Sequence, residues 1–135
     1  MAIELRGLTP LLQVYDMPRA IRFYRDVLGF EVVAHSPELG EDFFHWVFLR
    51  LGEAELMLNT AYENSRPPSP DARRTAAHRD TGLFFECPDV DGAYEYLRGK
   101  GLELKPPKVA PYGMKQLYVS DPDGYELCFQ WPAKE

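Results

Sequence analysis

Only a handful of residues in this 135-residue chain have the type and placement to do chemistry. Cys128 lies in "DPDGYELCFQW", a turn followed by a strand-like run. A thiol there is a nucleophile, a metal ligand or a small residue filling a wall. Nucleophilic use needs a thiolate, hence a nearby base or a positive field. The strand neighbours Glu126 and Gln130 oppose that ionisation, and no histidine is placed by sequence to partner the thiol. A neutral wall residue is therefore expected. Glu86 and Glu126 are the carboxylates that strand alternation turns inward, where they could work as a base pair or hold a cation. Against that, glutamates near strand ends reach solvent, and Arg50 is in a position to neutralise one of them. His35, His45 and His78 lack close ligand spacing, so a surface or packing role is expected for each. A one-residue slip in register would turn His45 inward. Neither a Ser-His-Asp set, a P-loop nor a GxGxxG fingerprint occurs.

The elements that must position these residues belong to an ordinary globular chain. Apolar residues make up 45% and charged residues 27%, and the length suits one compact domain spanning residues 1–135. The net charge of -6 argues against a nucleic-acid partner, whose binding rests on Lys and Arg neutralising phosphates. The start of the chain lacks the basic-then-apolar pattern of a secretory signal, and no apolar run has membrane-spanning length. Two distant cysteines, Cys87 and Cys128, are too few for a disulfide framework. A reduced, cytoplasmic protein without membrane partners is expected.

The chain is written twice. In the first half a strand-like run, "LTPLLQVYD", precedes "MPRAIRFYRDVLGF", where Ala20, Ile21, Tyr24, Val27 and Leu28 recur at helical spacing. Asp16 sits where an N-cap belongs, Pro18 falls in the first turn, and Gly29 stops the helix. Three strand candidates follow, "FEVVAHS", "FFHWVFLRL" and "AELMLNT", the last two joined by a tight "GEA". From Gly82 the order returns: "GLFFECPD", the helical "VDGAYEYLRGKG", then "LELKPPKVA", "MKQLYVSD" and "YELCFQW". Asp16 and Ala20 match Asp89 and Ala93 at one constant offset. The reading is a duplicated β-α-β-β-β unit, with modules at residues 8–60 and 82–132. The linker between them, residues 61–81, is rich in Pro, Ser and Arg, and its PPSP piece favours extended backbone.

Alternation sorts the side chains of each strand. Leu56 and Leu58, Val47, Leu49 and Leu51, Leu117 and Val119, and Leu127 and Phe129 form the sets that pack on helices. The opposite set, expected to line a cavity, comprises Thr9, Leu11, Gln13, Phe44, Trp46, Phe48, Arg50, Met57, Asn59, Gly82, Phe84, Glu86, Gln116, Tyr118, Glu126, Cys128 and Gln130. Such a wall is aromatic and mildly polar, and suits a small organic ligand with a flat part. For any single aromatic, core filling is the competing role.

The duplication, "DMPRAIRFYRDVLGF" after the first strand and "DPDGYELCF" near the end resemble the vicinal oxygen chelate superfamily. This superfamily includes glyoxalase I, extradiol dioxygenases and bleomycin-resistance proteins. The resemblance covers nearly everything outside the linker. It implies an α+β fold of two tandem βαβββ modules whose U-shaped sheets surround a shared cavity, and usually a homodimer. Metal-dependent members take one ligand from each first strand, usually His, and one from each fourth strand, usually Glu. Carried over through the Asp cap and the glycine turn, those positions hold Thr9, Met57, Gly82 and Cys128. None matches the family's ligand set, so no metal and no other cofactor is expected.

The expectation is accordingly a non-metal binding protein similar to the bleomycin-resistance branch. Aromatic walls would stack on a small organic ligand, and acidic side chains would favour a cationic aromatic one. In that branch the ligand lies in clefts at a dimer interface. Two alternatives stand beside it: a divergent lyase, isomerase or dioxygenase of the same superfamily acting on a small oxygenated substrate, and a domain kept for protein contacts alone.

Overall fold

A computed structural model describes residues 2–60 and 71–134. The chain divides into two compact units, Met1–Pro68 and Ser69–Glu135. The first contains β1 (Leu11–Val14), α1 (Met17–Ile21) running on as a π-helical turn (Arg22–Val27), β2 (Glu31–His35), β3 (Trp46–Leu51) and β4 (Ala54–Thr60). The second contains α2 (Ala72–His78), β5 (Gly82–Glu86), α3 (Val90–Gly99), β6 (Lys108–Val109), β7 (Met114–Ser120) and β8 (Glu126–Pro132). Each unit holds a four-stranded mixed sheet, ordered β1-β4-β3-β2 and β5-β8-β7-β6. The first strand of each pairs parallel with the last, and the other pairs are antiparallel. This is the duplicated βαβββ arrangement read from the sequence.

The helices begin where local chemistry starts them. The Asp16 carboxylate accepts from the Arg19 amide at 3.2 Å, with Pro18 in the first turn. The Asp89 carboxylate accepts from the Gly92 amide at 2.9 Å. Each caps one of the amides that an unfinished first turn leaves without a partner. The first helix then widens, Leu28 donating its amide to Phe23 at 3.0 Å and Phe30 to Tyr24 at 2.8 Å. Its inner face buries Met17, Ala20, Ile21 and Tyr24 completely. Under it lie Val47, Leu49, Leu56 and Leu58, all at most 1% exposed. Leu117, Val119 and Leu127 hold the same place in the second module.

Two strands are shorter than the sequence pattern suggests, each for a physical reason. "LELKPPKVA" yields only Lys108–Val109 as strand, because Pro106 and Pro107 have no amide to give a ladder. "FFHWVFLRL" becomes strand only at Trp46, because the Ser36 hydroxyl takes the amides of His45 and Trp46, both at 3.1 Å. Of the stretch read as a linker, residues 61–70, with the PPSP piece, lie outside the described residues. The remainder is not irregular: Ala72–His78 form α2, which packs on the Asp121–Gly124 turn of its own module.

The loop before β3 is held by charge. Arg25 donates to Asp42 through Nη1 and Nη2, both at 2.9 Å, and through Nε to Asp26 at 2.8 Å. The Arg25 guanidinium holds the Asp42 carboxyl below the usual carboxylate range, chiefly through these hydrogen bonds. A carboxyl whose folded pKa is depressed contributes stability above its unfolded pKa and loses that contribution as pH falls through the folded one. Arg25 remains charged throughout this range. Asp42→Asn should therefore cost about 1 kcal/mol near neutrality, after solvent screening is allowed for. The cost should vanish in acid, as read from urea unfolding of wild type and variant at several pH values.

Candidate ligand-binding site

The free faces of the two sheets are built on matching rows of side chains. In the first module Leu11, Met57 and Phe48 stand in register across three strands, and beside them Gln13, Asn59 and Trp46 form a second row. In the second module Phe84, Cys128 and Tyr118 form the equivalent row, followed by Glu86, Gln130 and Gln116. Glu126 lies one step further along, opposite Gly82 and Ser120. Each module thus carries a row of apolar or aromatic side chain, sulfur and aromatic ring, next to a row bearing amides.

Phe44 is the exception among the residues assigned inward. It precedes β3, so strand alternation does not govern it; it is 6% exposed, with its ring 4.5 Å from that of His35. Arg50 also departs from expectation. It pairs with Glu55 on the adjacent strand through Nη2 at 2.8 Å, with its guanidinium 5.8 Å from the Phe48 ring centre. Its charge is paired within the first module's own sheet.

Exposure separates the face into a dry floor and open rings. Cys128 is 1% and Gln116 7% exposed, while Phe84 and Tyr118 keep about half their surface open at 52% and 50%. These two rings meet edge to face, 6.4 Å apart and inclined by 87°. Behind them Gln116 acts as a hub. Its amide nitrogen donates to the Tyr112 hydroxyl at 2.7 Å and to Gln130 Oε1 at 2.9 Å, and its carbonyl accepts from Tyr118 at 3.2 Å. Both amide protons are thereby used, and three neighbours are held in fixed orientation. The Gln130 amide nitrogen donates to no protein acceptor among the described residues.

Beside this face an open groove of about 600 Å³ runs between β7 and the segment before β6. Leu102, Leu104, Tyr118 and Gln116 line it, and its charged lining is Glu103, Lys105 and Lys108. Glu126 instead accepts from the Ser120 hydroxyl at 2.8 Å. Neither Glu86 nor Glu126 lines the groove.

The residues at the metal positions implied by the family resemblance do not fit its hard, oxygen-preferring ion. Thr9 precedes β1, Met57 offers a thioether, and Gly82 has no side chain. A Cβ built on Gly82 would lie 3.0 Å from the Phe84 ring, a tight contact to which the ring would have to yield. Burial pushes the Cys128 thiol above its ordinary pKa, with bonds from Tyr118 and Leu117 acting against it. Among the described residues no three of His, Cys, Asp and Glu cluster closely enough to hold an ion. The histidines have other partners: His45 Nδ1 lies 3.0 Å from Thr60 Oγ1, and His78 stacks on Tyr125 at 4.0 Å. His35 lies at the end of β2, its Nδ1 2.7 Å from the Ser36 carbonyl oxygen.

Cys87 is the more accessible thiol, and burial raises its pKa too. Iodoacetamide at pH 8 should alkylate Cys87 slowly and leave Cys128 unmodified until the protein unfolds, as read by mass spectrometry of the digested protein. Rapid modification of Cys128 in the native state would mark an activated thiolate.

Gln116 was legible by alternation, but its role as a hub was not. Tyr112 and Lys105 lie in irregular backbone and Lys108 opens a strand of two residues, where strand period gives no direction. The one available signal was the Lys-Pro-Pro-Lys run, which fixes extended backbone.

A family model described as Glyoxalase/Bleomycin resistance protein/Dioxygenase superfamily matches residues 8–129. No curated protein matches the chain. Among solved structures, TioX from Micromonospora sp. ML1 is 20% identical at a TM-score of 0.72, covering 93% of this chain and 97% of that one. A bleomycin-binding protein complexed with bleomycin is 21% identical at a TM-score of 0.70, covering 97% and 100%. TnmS3, an antibiotic binding protein from Streptomyces sp. CB03234, is 25% identical at a TM-score of 0.68, covering 98% and 99%. No helix among the described residues is long and apolar enough to cross a membrane.

Proposed function

The chain belongs to the glyoxalase/bleomycin resistance protein/dioxygenase superfamily, and on that premise we propose that it binds a small, flat organic molecule without using a metal ion. The observation that carries this reading is the row Phe84–Cys128–Tyr118, two half-open rings flanking a dry, protonated thiol. The resemblance puts a metal-ligating carboxylate at the place of that thiol. Open aromatic rings over a fixed polar floor give a planar ligand stacking area and orientation together. The bleomycin complex and the antibiotic-binding TnmS3 share the fold, which supports a ligand of antibiotic type. On this reading the protein sequesters its ligand stoichiometrically. It is a homodimer whose second copy covers part of each open face, it acts in the cytoplasm, and it takes neither nucleic acid nor membrane as partner.

The test is a titration of the purified protein with planar antibiotics, bleomycin-type glycopeptides among them, followed by tryptophan fluorescence alongside a measurement of bound transition metal. Saturable quenching at a fixed stoichiometry, with metal far below one ion per chain, is the expected result. One tightly held ion per chain, with turnover that depends on it, would overturn the reading.

A further inference from the structure

We propose that the second module's groove selects a planar aromatic carboxylate, its ring against Tyr118 and its anionic oxygens toward Lys105 and Lys108. The proposal rests on the binding reading above and adds the ligand's charge. The segment Lys105-Pro106-Pro107-Lys108 precedes and enters β6. Consecutive prolines favour the polyproline II helix, which turns once every three residues. Residues 105 and 108 therefore share one side of the segment, and both line the groove. Neither lysine is in an ion pair among the described residues. The two ammonium groups outnumber the single carboxylate of Glu103 that also lines the groove.

Gln116, the lining residue beside Tyr118, spends both amide protons on Tyr112 and Gln130, which themselves lie outside the groove lining. The charge the groove offers a ligand is therefore set by the lysines. The groove's volume of about 600 Å³ is within the range of small-molecule sites.

Three probes that share a ring system isolate the charge: 2-naphthoate, the neutral 2-naphthamide and the cationic 2-naphthylmethylammonium. Each is titrated into the full chain, with binding located by amide and side-chain NMR shifts. Naphthoate is expected to bind most tightly and to move resonances of Lys108, Gln116 and Tyr118. Lys105→Gln with Lys108→Gln, both exposed and conservative for folding, should weaken it about tenfold and leave naphthamide unchanged. Tighter binding of the ammonium probe at this groove would overturn the charge assignment while leaving the binding function intact. Naphthoate binding that ignores the lysine substitutions would overturn it too. If no probe shifts the groove resonances, the groove is not the site, and the antibiotic titration then judges the binding function on the remaining faces.

Discussion

Gly124→Ala is expected to destabilise the second module by about 3 kcal/mol. Gly124 has φ +88, a conformation that disfavours any side chain, and an added Cβ would meet the backbone oxygen of Thr75 at 2.6 Å and its methyl at 2.7 Å. The oxygen belongs to α2 backbone, so no rotamer change relieves the contact. The turn itself cannot move away easily. The buried carboxylate of Asp121 accepts from the amides of Asp123 and Tyr125, both at 2.9 Å. His78 closes the contact from the helix side. Its Nδ1 lies 2.7 Å from the Asp123 carbonyl, so that nitrogen carries the proton, and its ring lies nearly parallel to Tyr125. Urea unfolding should show the loss, and amide exchange over residues 72–80 should accelerate more than in β7 or β8. Adding Thr75→Ala removes the methyl contact but not the carbonyl one, so the double variant should recover only part of the stability. An unchanged midpoint for Gly124→Ala would mean that α2 does not rest on the turn.

Tyr118→Ala should have the largest effect on ligand binding, lowering affinity for a planar probe such as 2-naphthoate about thirtyfold. The ring is half exposed, so its loss removes little buried area, and stability should change by less than about 1 kcal/mol. Binding and folding thus separate in one variant. Tyr118→Phe keeps the ring and loses only the hydroxyl's bonds to Gln116 and Cys128, so most of the affinity should survive. Phe84→Ala should act in the same direction, and more weakly, because Phe84 meets Tyr118 edge to face and lies outside the groove lining. Calorimetry for affinity and urea midpoints for stability give the two readouts. Equal losses from Tyr118→Phe and Tyr118→Ala would assign the effect to the hydroxyl instead of the ring.

How much of this was legible in the sequence depends on how local the determining physics is. The helix starts at Asp16 and Asp89, the glycine-ended first helix and the β3–β4 hairpin are set by neighbours within a few residues, and the structure places them where the sequence does. Alternation told the buried Leu56 and Leu58 from Met57 and Asn59, because strand period fixes direction once the strand is known. It failed at Phe44, where a serine side chain had replaced the ladder and the strand had not yet begun. It was silent over residues 102–107, where prolines abolish the period, and β6 is only two residues long, so neither Lys105 nor Lys108 carried a directional signal. The helix over Ala72–His78 was missed because nothing in "ARRTAAH" has an apolar stripe; its place is set by contact with Gly124 and Tyr125, some fifty residues away in sequence. Of Gln116's three partners, Tyr112 and Tyr118 are near in sequence, but Gln130 is brought opposite it only by the pairing of β7 with β8.

The central claim is that these faces bind an organic ligand without a metal ion. It is tested most directly by titrating 2-naphthoate, in excess chelator and again with added divalent manganese, iron, nickel or zinc, while following the NMR resonances of Phe84, Tyr118 and Gln130. The account predicts the same saturable shifts and the same affinity in every case. Shifts that appear only when a divalent ion is supplied would contradict it.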